Sequence, residues 1–342
     1  MGIKNLKNII KKHAPEAFSV INLNQLHNTK ICIDSSILLY QFRYSNKDDN
    51  FHIVGFLNKI IELLHFGITP IFVFDGKAPD AKGDILNKRI ENRNKSKERL
   101  NILNILKNNL EVKVNINIDE YINDSDTDEP IDTEYEQLRS INKEIEKIQK
   151  NTLCINKTHS LEVIELLKSI GIPFFESIGE AEESCAFLQK NNYANYILTE
   201  DTDSLTFGGS NIIFRSKSGL LLCNLPLILK GLGLNFLEFI DLCILCGCDY
   251  TCTIPKIGQV GALNIIKKYK SIENFITHNT TYVIPKEFDY LTARKLFVQN
   301  NNFKLPTEEF KLGTLNINAL SGILLKYHLN IEIINNLINL LF

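Results

Sequence analysis

The sequence predicts an α/β fold with a mostly parallel central sheet flanked by helices. Two observations carry this reading. Apolar, strand-like runs recur along the chain, among them T-K-I-C-I, T-P-I-F-V-F and N-Y-I-L-T-E. Segments of helical periodicity lie between them, so strand and helix alternate in the rhythm of βαβ units.

In order, V-G-F-L-N-K-I-I-E-L-L-H-F reads as an amphipathic helix and G-I-T-P-I-F-V-F-D-G as the strand after it. From about Lys77 to Leu110 the chain is charged and helical, then acidic and turn-rich to Thr133. A second charged helix follows, Y-E-Q-L-R-S-I-N-K-E-I-E-K-I-Q-K, and the α/β pattern resumes at Ser160. After Asp249, K-I-G-Q-V-G-A-L-N-I-I-K-K-Y reads as a glycine-containing turn opening a helix, and the remainder as largely helical. The expected division is 1–110, 111–155, 156–275 and 276–342. Heavy use of Asn, Ile and Lys is ascribed to genome base composition.

At 342 residues and 44% hydrophobic, the chain can bury a full core in one large domain or two intimate ones. No apolar run approaches the roughly 20 residues that span a bilayer. The start M-G-I-K-N-L-K lacks a signal-peptide pattern, and Leu6 stands where myristoylation wants Ser or Thr. A soluble, intracellular monomer with no membrane partner is expected. Scattered cysteines fit a reducing compartment, and Cys243, Cys246, Cys248 and Cys252 read as small core thiols rather than a zinc site.

The net charge of −2 conceals an uneven distribution. Residues 118–136 hold nine acids and no Lys or Arg; without them 38 basic residues face 31 acidic ones. That stretch is expected to be a mobile surface loop.

Seven acids stand apart: Asp34, Asp75, Glu180, Glu182, Asp201, Asp203 and Asp249. Several follow strand-like runs, and α/β sheets gather functional groups beyond the carboxyl ends of their strands. Crowded acids are costly to ionise together unless cations neutralise them. Oxygen-only ligands select Mg²⁺ or Mn²⁺ over zinc. A pair of such ions is a common apparatus for phosphodiester cleavage.

The neighbours of these acids are distinctive: I-D-S-S-I-L-L-Y-Q-F, V-F-D-G-K-A-P, G-E-A-E-E-S-C-A, T-E-D-T-D-S-L-T-F-G and C-G-C-D-Y. With the opening M-G-I-K-N-L, they resemble the flap endonuclease (XPG-type) family of structure-specific 5′ nucleases over residues 1–110 and 155–300. The resemblance implies a helical arch, a helix–two-turn–helix DNA-binding element and hydrolysis of branched or flapped DNA with two Mg²⁺ ions, replaceable by Mn²⁺. It implies that Asp34, Asp75, Glu180 and Glu182 hold the first ion or its waters, and Asp201, Asp203 and Asp249 the second. Lys82 and Arg89 match the arch-base cations that contact the scissile phosphate, and Tyr40 the aromatic that stacks on an adjacent base. Gly2 matches the small N-terminal residue near the site, and Arg93 is a further candidate contact. Thr253, Ile254 and Ile257 match main-chain K⁺ ligands in the helix–two-turn–helix, with Gly258 and Gly261 in its turn. The implied setting is replication, repair or recombination, in a nucleus or a cytoplasmic viral replication compartment.

Bland readings stand beside these. A strand-ending Asp34 is as readily a helix cap. Glu180 and Glu182 cannot share a helix face, so they converge only if Glu180 lies at or before the cap; Glu183 would be the simpler helical partner, and is read as solvent-facing. Lys82 and Arg89, seven apart, would share one face of a helix. Tyr40 is by default a core residue. Val260 and Gly261 replace a basic pair of the family, with Lys267, Lys268 and Lys270 as compensation on the following helix. Asp75 and Glu180 lie 105 positions apart, longer than usual for flap enzymes. With no glutamine–aromatic box after L-I-N-L-L-F, tethering to a sliding clamp is not expected. Within the family, 5′ exonuclease, bubble and junction cleavage stay open. Outside it stand a haloacid-dehalogenase-like phosphatase, suggested by D-T-D-S at 201–204, and an inactive scaffold.

Overall fold

The computed structural model describes residues 2–45, 48–77, 79–123, 132–151, 155–216, 219–298 and 309–341. They fall into two compact units, Met1–Lys82 with Asn156–Phe342, and Gly83–Ile155.

The first unit carries the sheet. Its strands are β1 (Phe18–Ile21), β2 (Lys30–Asp34), β3 (Thr69–Phe74), β4 (Phe174–Glu176), β5 (Tyr196–Leu198), β6 (Asn211–Ser216) and β7 (Gly219–Asn224). They lie in the order β1-β7-β6-β5-β2-β3-β4. From β6 to β4 all pairings are parallel; β7 runs antiparallel to both β6 and β1. β2 and β3 bury nearly every residue, as parallel strands covered on both faces must. The chain builds outward from β2 through β3 to β4, then returns to lay β5 and β6 on the other side. The crevice beyond the carboxyl ends of β2 and β5 is therefore the topological switch point, where such sheets place their sites.

Fifteen helices accompany these strands among the described residues. Before and between the first strands lie α1 (Leu6–His13), α2 (Ser35–Ser45) and α3 (Phe51–His65). The second unit consists of α4 (Gly83–Asn123) and α5 (Asp132–Asn151). The first unit resumes with α6 (Lys157–Ile170), α7 (Ala181–Lys190), α8 (Asp203–Thr206), α9 (Leu225–Leu232), α10 (Phe236–Cys246) and α11 (Gln259–Tyr269). It ends with α12 (Ile272–His278), α13 (Tyr290–Val298), α14 (Ile317–Lys326) and α15 (Ile333–Leu341). The asparagines ascribed to base composition have local roles. Asn156, Asn224, Asn235 and Asn316 each accept a backbone N–H at a helix start, satisfying donors the helix itself leaves open. Gly171 and Gly233 end α6 and α9 at φ 83° and 66°, a left-handed conformation that glycine adopts without a Cβ penalty.

Behind the sheet's carboxyl edge, one ionic network joins three helices. Asp241 of α10 is 3% exposed and accepts bonds from Arg294 of α13, Nε to Oδ1 and Nη2 to Oδ2, both at 2.7 Å. Asp241 Oδ2 also accepts the Ile272 N–H at 3.0 Å, capping α12, and Arg294 reaches Glu273 Oε2 at 2.9 Å.

In the second unit, α4 and α5 pack on one another and bury Leu103 and Ile145. Arg99 Nε meets Glu144 Oε1 at 3.1 Å.

Several expectations need correcting. The boundary at 110/111 falls inside α4, a helix of 41 residues and roughly 60 Å. No glycine or proline occurs between Gly83 and Pro130, so nothing local breaks the helix earlier. The acidic stretch is helical at both ends, where it closes α4 and opens α5; its middle, 124–131, lies outside the described residues. The boundary at 275/276 falls inside α12. The C-terminal region is less helical than expected, since 279–289 and 309–316 are irregular. Among the described residues no helix is long and apolar enough to cross a membrane. Cys243, Cys246 and Cys248 are buried and Cys252 is partly so. Burial pushes the Cys246 thiol up to about 12 and Cys248 to about 11, so both stay protonated as core groups.

Candidate metal and phosphodiester site

The seven acids meet at the switch point, each delivered by a different piece of local structure. Asp34 ends β2 and is 2% exposed. Its Oδ1 accepts the Ile37 N–H at 3.1 Å, so it caps α2, while Oδ2 accepts the Thr199 hydroxyl at 3.3 Å across the crevice from β5. The cap contact is present, and it leaves Oδ2 facing the crevice. Asp75 follows β3 and accepts the Ala181 N–H at 2.8 Å, at the start of α7.

Glu180 is the N-cap of α7, with extended backbone at φ −86°, ψ 146°. That departure from helical geometry is the condition that lets Glu180 and Glu182 converge. Glu183, expected to face solvent, is instead buried in the core side of α7. A residue after the cap obeys helical spacing, and the helix turns that position inward. Asp201 follows β5; its N–H donates to Thr199 Oγ1 at 3.1 Å, and its Oδ1 accepts the Asp203 N–H at 2.9 Å. Asp203 opens α8, 3% exposed, and its Oδ1 is a buried oxygen with no hydrogen-bond partner among the described residues. Asp249 follows α10, its Oδ2 3.8 Å from Lys82 Nζ.

These carboxylates feel one another strongly. Burial first, then the charge of Asp75, pushes Asp34 up to about 7. Burial followed by Asp34, Asp201 and Asp75 holds Glu182 well above the usual carboxylate range, and burial followed by Asp201 does the same to Asp203. Burial also raises Asp201.

Lys82 lies among them. Lys82 donates to Glu180 Oε1. Burial opposes its charge, but Glu180, then Glu182 and Asp203, overcome this and hold the ammonium protonated. Lys82 ends a short 3₁₀ turn, Asp80–Lys82, and α4 begins only at Gly83. Lys82 thus precedes α4 rather than lying on it. Arg89 and Arg93 lie on α4 in the other unit, and the side chain of Arg89 is outside the described residues.

Gly2 sits against the second group of acids. Its φ is 80°, and an added Cβ would collide with the side chains of Asp201, Thr202 and Asp203. Tyr40 is 48% exposed on α2, a surface aromatic rather than a core one.

The helix–two-turn–helix candidates lie between α10 and α11. Ile254 and Ile257 anchor the turn in the core, with the Ile257 N–H donating to the Ile254 carbonyl at 3.2 Å. Gly258 is the N-cap of α11, and a Cβ there would meet nothing within 4 Å, so this end of the helix is open. Lys267 and Lys268 occupy the last turn of α11, about 14 Å along the axis from Gly258.

Sequence reading missed two groups. Thr199 bridges Asp34 and Asp201, and Tyr250 donates its hydroxyl to Glu180 Oε2. Both stood beside the quoted acids, in T-E-D-T-D and C-G-C-D-Y, as the only signal.

The donor set is oxygen only, which suits a hard divalent ion. Among the described residues no three side chains are already closed around a point that could take one. Glu180 is engaged by Lys82 and Tyr250, and Asp34, Asp75 and Asp201 by backbone N–H groups. The partnerless Asp203 oxygen and the mutual repulsion of the acids are nonetheless what a cation would relieve, so the residues fit such a group.

Fold and site thus define a doubly wound α/β protein with an acid cluster at its switch point. The chain matches the XPG N-terminal domain over residues 1–96 and the XPG I-region over 171–249. A "Flap endonuclease 1" of Plasmodium knowlesi is 36% identical, covering 99% of this chain and 57% of its own length. One of Entamoeba dispar is 34% identical, covering 87% and 76% respectively. Among solved structures, the catalytic core of Rad2 in complex with a DNA substrate superposes with a TM-score of 0.71 at 22% identity, over 100% of both chains. This chain belongs to the flap endonuclease (XPG) family. It spans about half the length of the first Plasmodium relatives, 50–57%.

Proposed function

We propose that the chain is a structure-specific 5′ nuclease that hydrolyses DNA phosphodiesters where single strand meets duplex, with a 5′ flap as its preferred substrate. The observation that carries this is the gathering of the acids at the sheet's carboxyl edge, with Lys82 beside Glu180, Glu182, Asp203 and Asp249. Asp34, Asp75, Glu180 and Glu182 would hold one Mg²⁺, and Asp201, Asp203 and Asp249 a second, with Mn²⁺ able to substitute. When bound, such ions ease formation of the attacking hydroxide and of charge on the leaving 3′ oxygen. Lys82 would donate to a phosphate oxygen as negative charge develops on it. Arg89 is proposed for the same task on the family resemblance alone. Exposed Tyr40 offers a stacking face to a base near the scissile bond.

The open N-terminus of α11 suits one phosphate of the duplex, with the Thr253, Ile254 and Ile257 carbonyls around a K⁺. Relatives in Plasmodium and Entamoeba support work on nuclear DNA. DNA is read by shape and backbone, so affinity falls steeply with salt.

The test uses end-labelled flap, nick, bubble and four-way substrates in Mg²⁺. The flap product is expected to dominate and to vanish in EDTA. A four-way junction cut best would overturn the flap preference; no cleavage of any substrate would overturn the nuclease reading. Lys82→Met is expected to lower the single-turnover rate by about 100- to 1,000-fold, the scale of losing one donor to developing charge. Flap affinity measured in Ca²⁺ should change far less. A rate within threefold of wild type would remove Lys82 from the chemistry.

A further inference from the structure

We infer that Tyr250 is a positioning residue of this site, holding Glu180 with its hydroxyl and Lys82 with its ring. The inference rests on the nuclease reading above. Tyr250 is 4% exposed, and its hydroxyl donates to Glu180 Oε2 while Lys82 donates to Glu180 Oε1. Both oxygens of one carboxylate are thereby fixed, one by an ammonium and one by a phenol. Lys82 Nζ also lies 5.4 Å from the centroid of the Tyr250 ring, within reach of the negative potential on its face. The ring itself has little freedom. Phe297 of α13 meets it at 4.9 Å with the planes 70° apart, and Phe207 lies 6.4 Å away.

This arrangement answers a problem that the acid cluster creates. Glu180 and Lys82 are partners, yet cation binding would need the first and phosphate binding the second. Were Glu180 to turn toward an ion, the ammonium would lose its main partner. The Tyr250 ring face keeps Lys82 beside the site, 3.8 Å from Asp249, rather than releasing it to solvent. The hydroxyl meanwhile restrains the Glu180 carboxylate, as outer partners of ligating groups do. A core tyrosine with a merely satisfied hydroxyl would have no bearing on ion affinity.

Phenylalanine at 250 removes the hydroxyl and keeps the ring; leucine removes both. Mn²⁺ binding to the full chain, followed by electron paramagnetic resonance without DNA, should weaken by about 10- to 100-fold in Tyr250→Phe. Wild-type affinity in that variant would overturn the assignment while leaving the nuclease reading intact. A wild-type chain that takes up no Mn²⁺ would overturn both. In single-turnover cleavage, Tyr250→Leu should lose more than Tyr250→Phe, and this extra loss should vanish when Lys82→Ala is present in both. If it persists there, the ring does not act through Lys82, and that half of the assignment fails. Circular dichroism of each variant should match wild type, and Tyr250→Phe, which removes one oxygen, decides the matter if the leucine variant does not fold.

Discussion

Asp203→Asn should abolish flap cleavage and, in EDTA, make the protein more stable than wild type. Asp203 is buried, with one carboxylate oxygen unpartnered, and burial together with Asp201 makes its ionisation costly. Asparagine keeps the shape and the backbone N–H that Asp201 accepts, but removes the charge an ion would need. A loss of about three orders of magnitude or more in rate is expected, the scale for a member of a constellation that acts as a unit. The stability gain has a pH signature. Asp34 is raised from 3.8 to about 7 in the fold, so its protonated form favours the folded state. That contribution is complete below about pH 4 and is lost as pH rises through about 7. Metal-free wild type should therefore melt at a lower temperature at pH 8 than at pH 5, with Mn²⁺ reversing the fall. Asp203→Asn should show a smaller fall and a weaker Mn²⁺ effect. Equal melting curves for both proteins in EDTA and Mn²⁺ would show that no cation is seated by these acids.

Arg294→Met should destabilise the fold by about 3–5 kcal/mol, because it strands the buried carboxylate of Asp241. Surface ion pairs rarely matter so much. This one differs, since Asp241 accepts two guanidinium bonds and also caps α12 through Ile272. A melting temperature lower by roughly 6–10 °C is expected for a unit of this size. Adding Asp241→Leu to Arg294→Met should recover part of the loss by removing the uncompensated charge, a result simple cavity formation would not give. The network bears on the site as well. Phe297, which packs against Tyr250, shares α13 with Arg294, and α10 leads from Asp241 to Asp249. Calorimetry showing a loss below about 1 kcal/mol would remove Arg294 from the supporting frame.

Much of the site was legible because strand ends have local signatures. Asp34, Asp75 and Asp201 each follow an apolar run, and in a parallel sheet such runs point their carboxyl ends one way. The condition placed on Glu180, that it precede the helix proper, follows from helical geometry alone, and the φ/ψ of its cap satisfies it. Tyr250 and Thr199 were not legible. Their partners lie 70 and 165 positions away, and a tyrosine or threonine in an apolar stretch is ordinarily core. The 3₁₀ turn at Lys82 was not legible either, because charge spacing does not reveal where a helix starts.

By itself the sequence determined the alternation of strand and helix, the identity of the acids and the family. Each of these is written in residues close together along the chain. Only the tertiary structure decided that β5 returns to lie beside β2, which brings Thr199 against Asp34 and closes the crevice. It alone set Lys82 and Tyr250 on opposite oxygens of Glu180 and turned Glu183 inward. The physical reason is that hydrogen bonding and charge act over a few ångströms of space, whatever the separation in sequence.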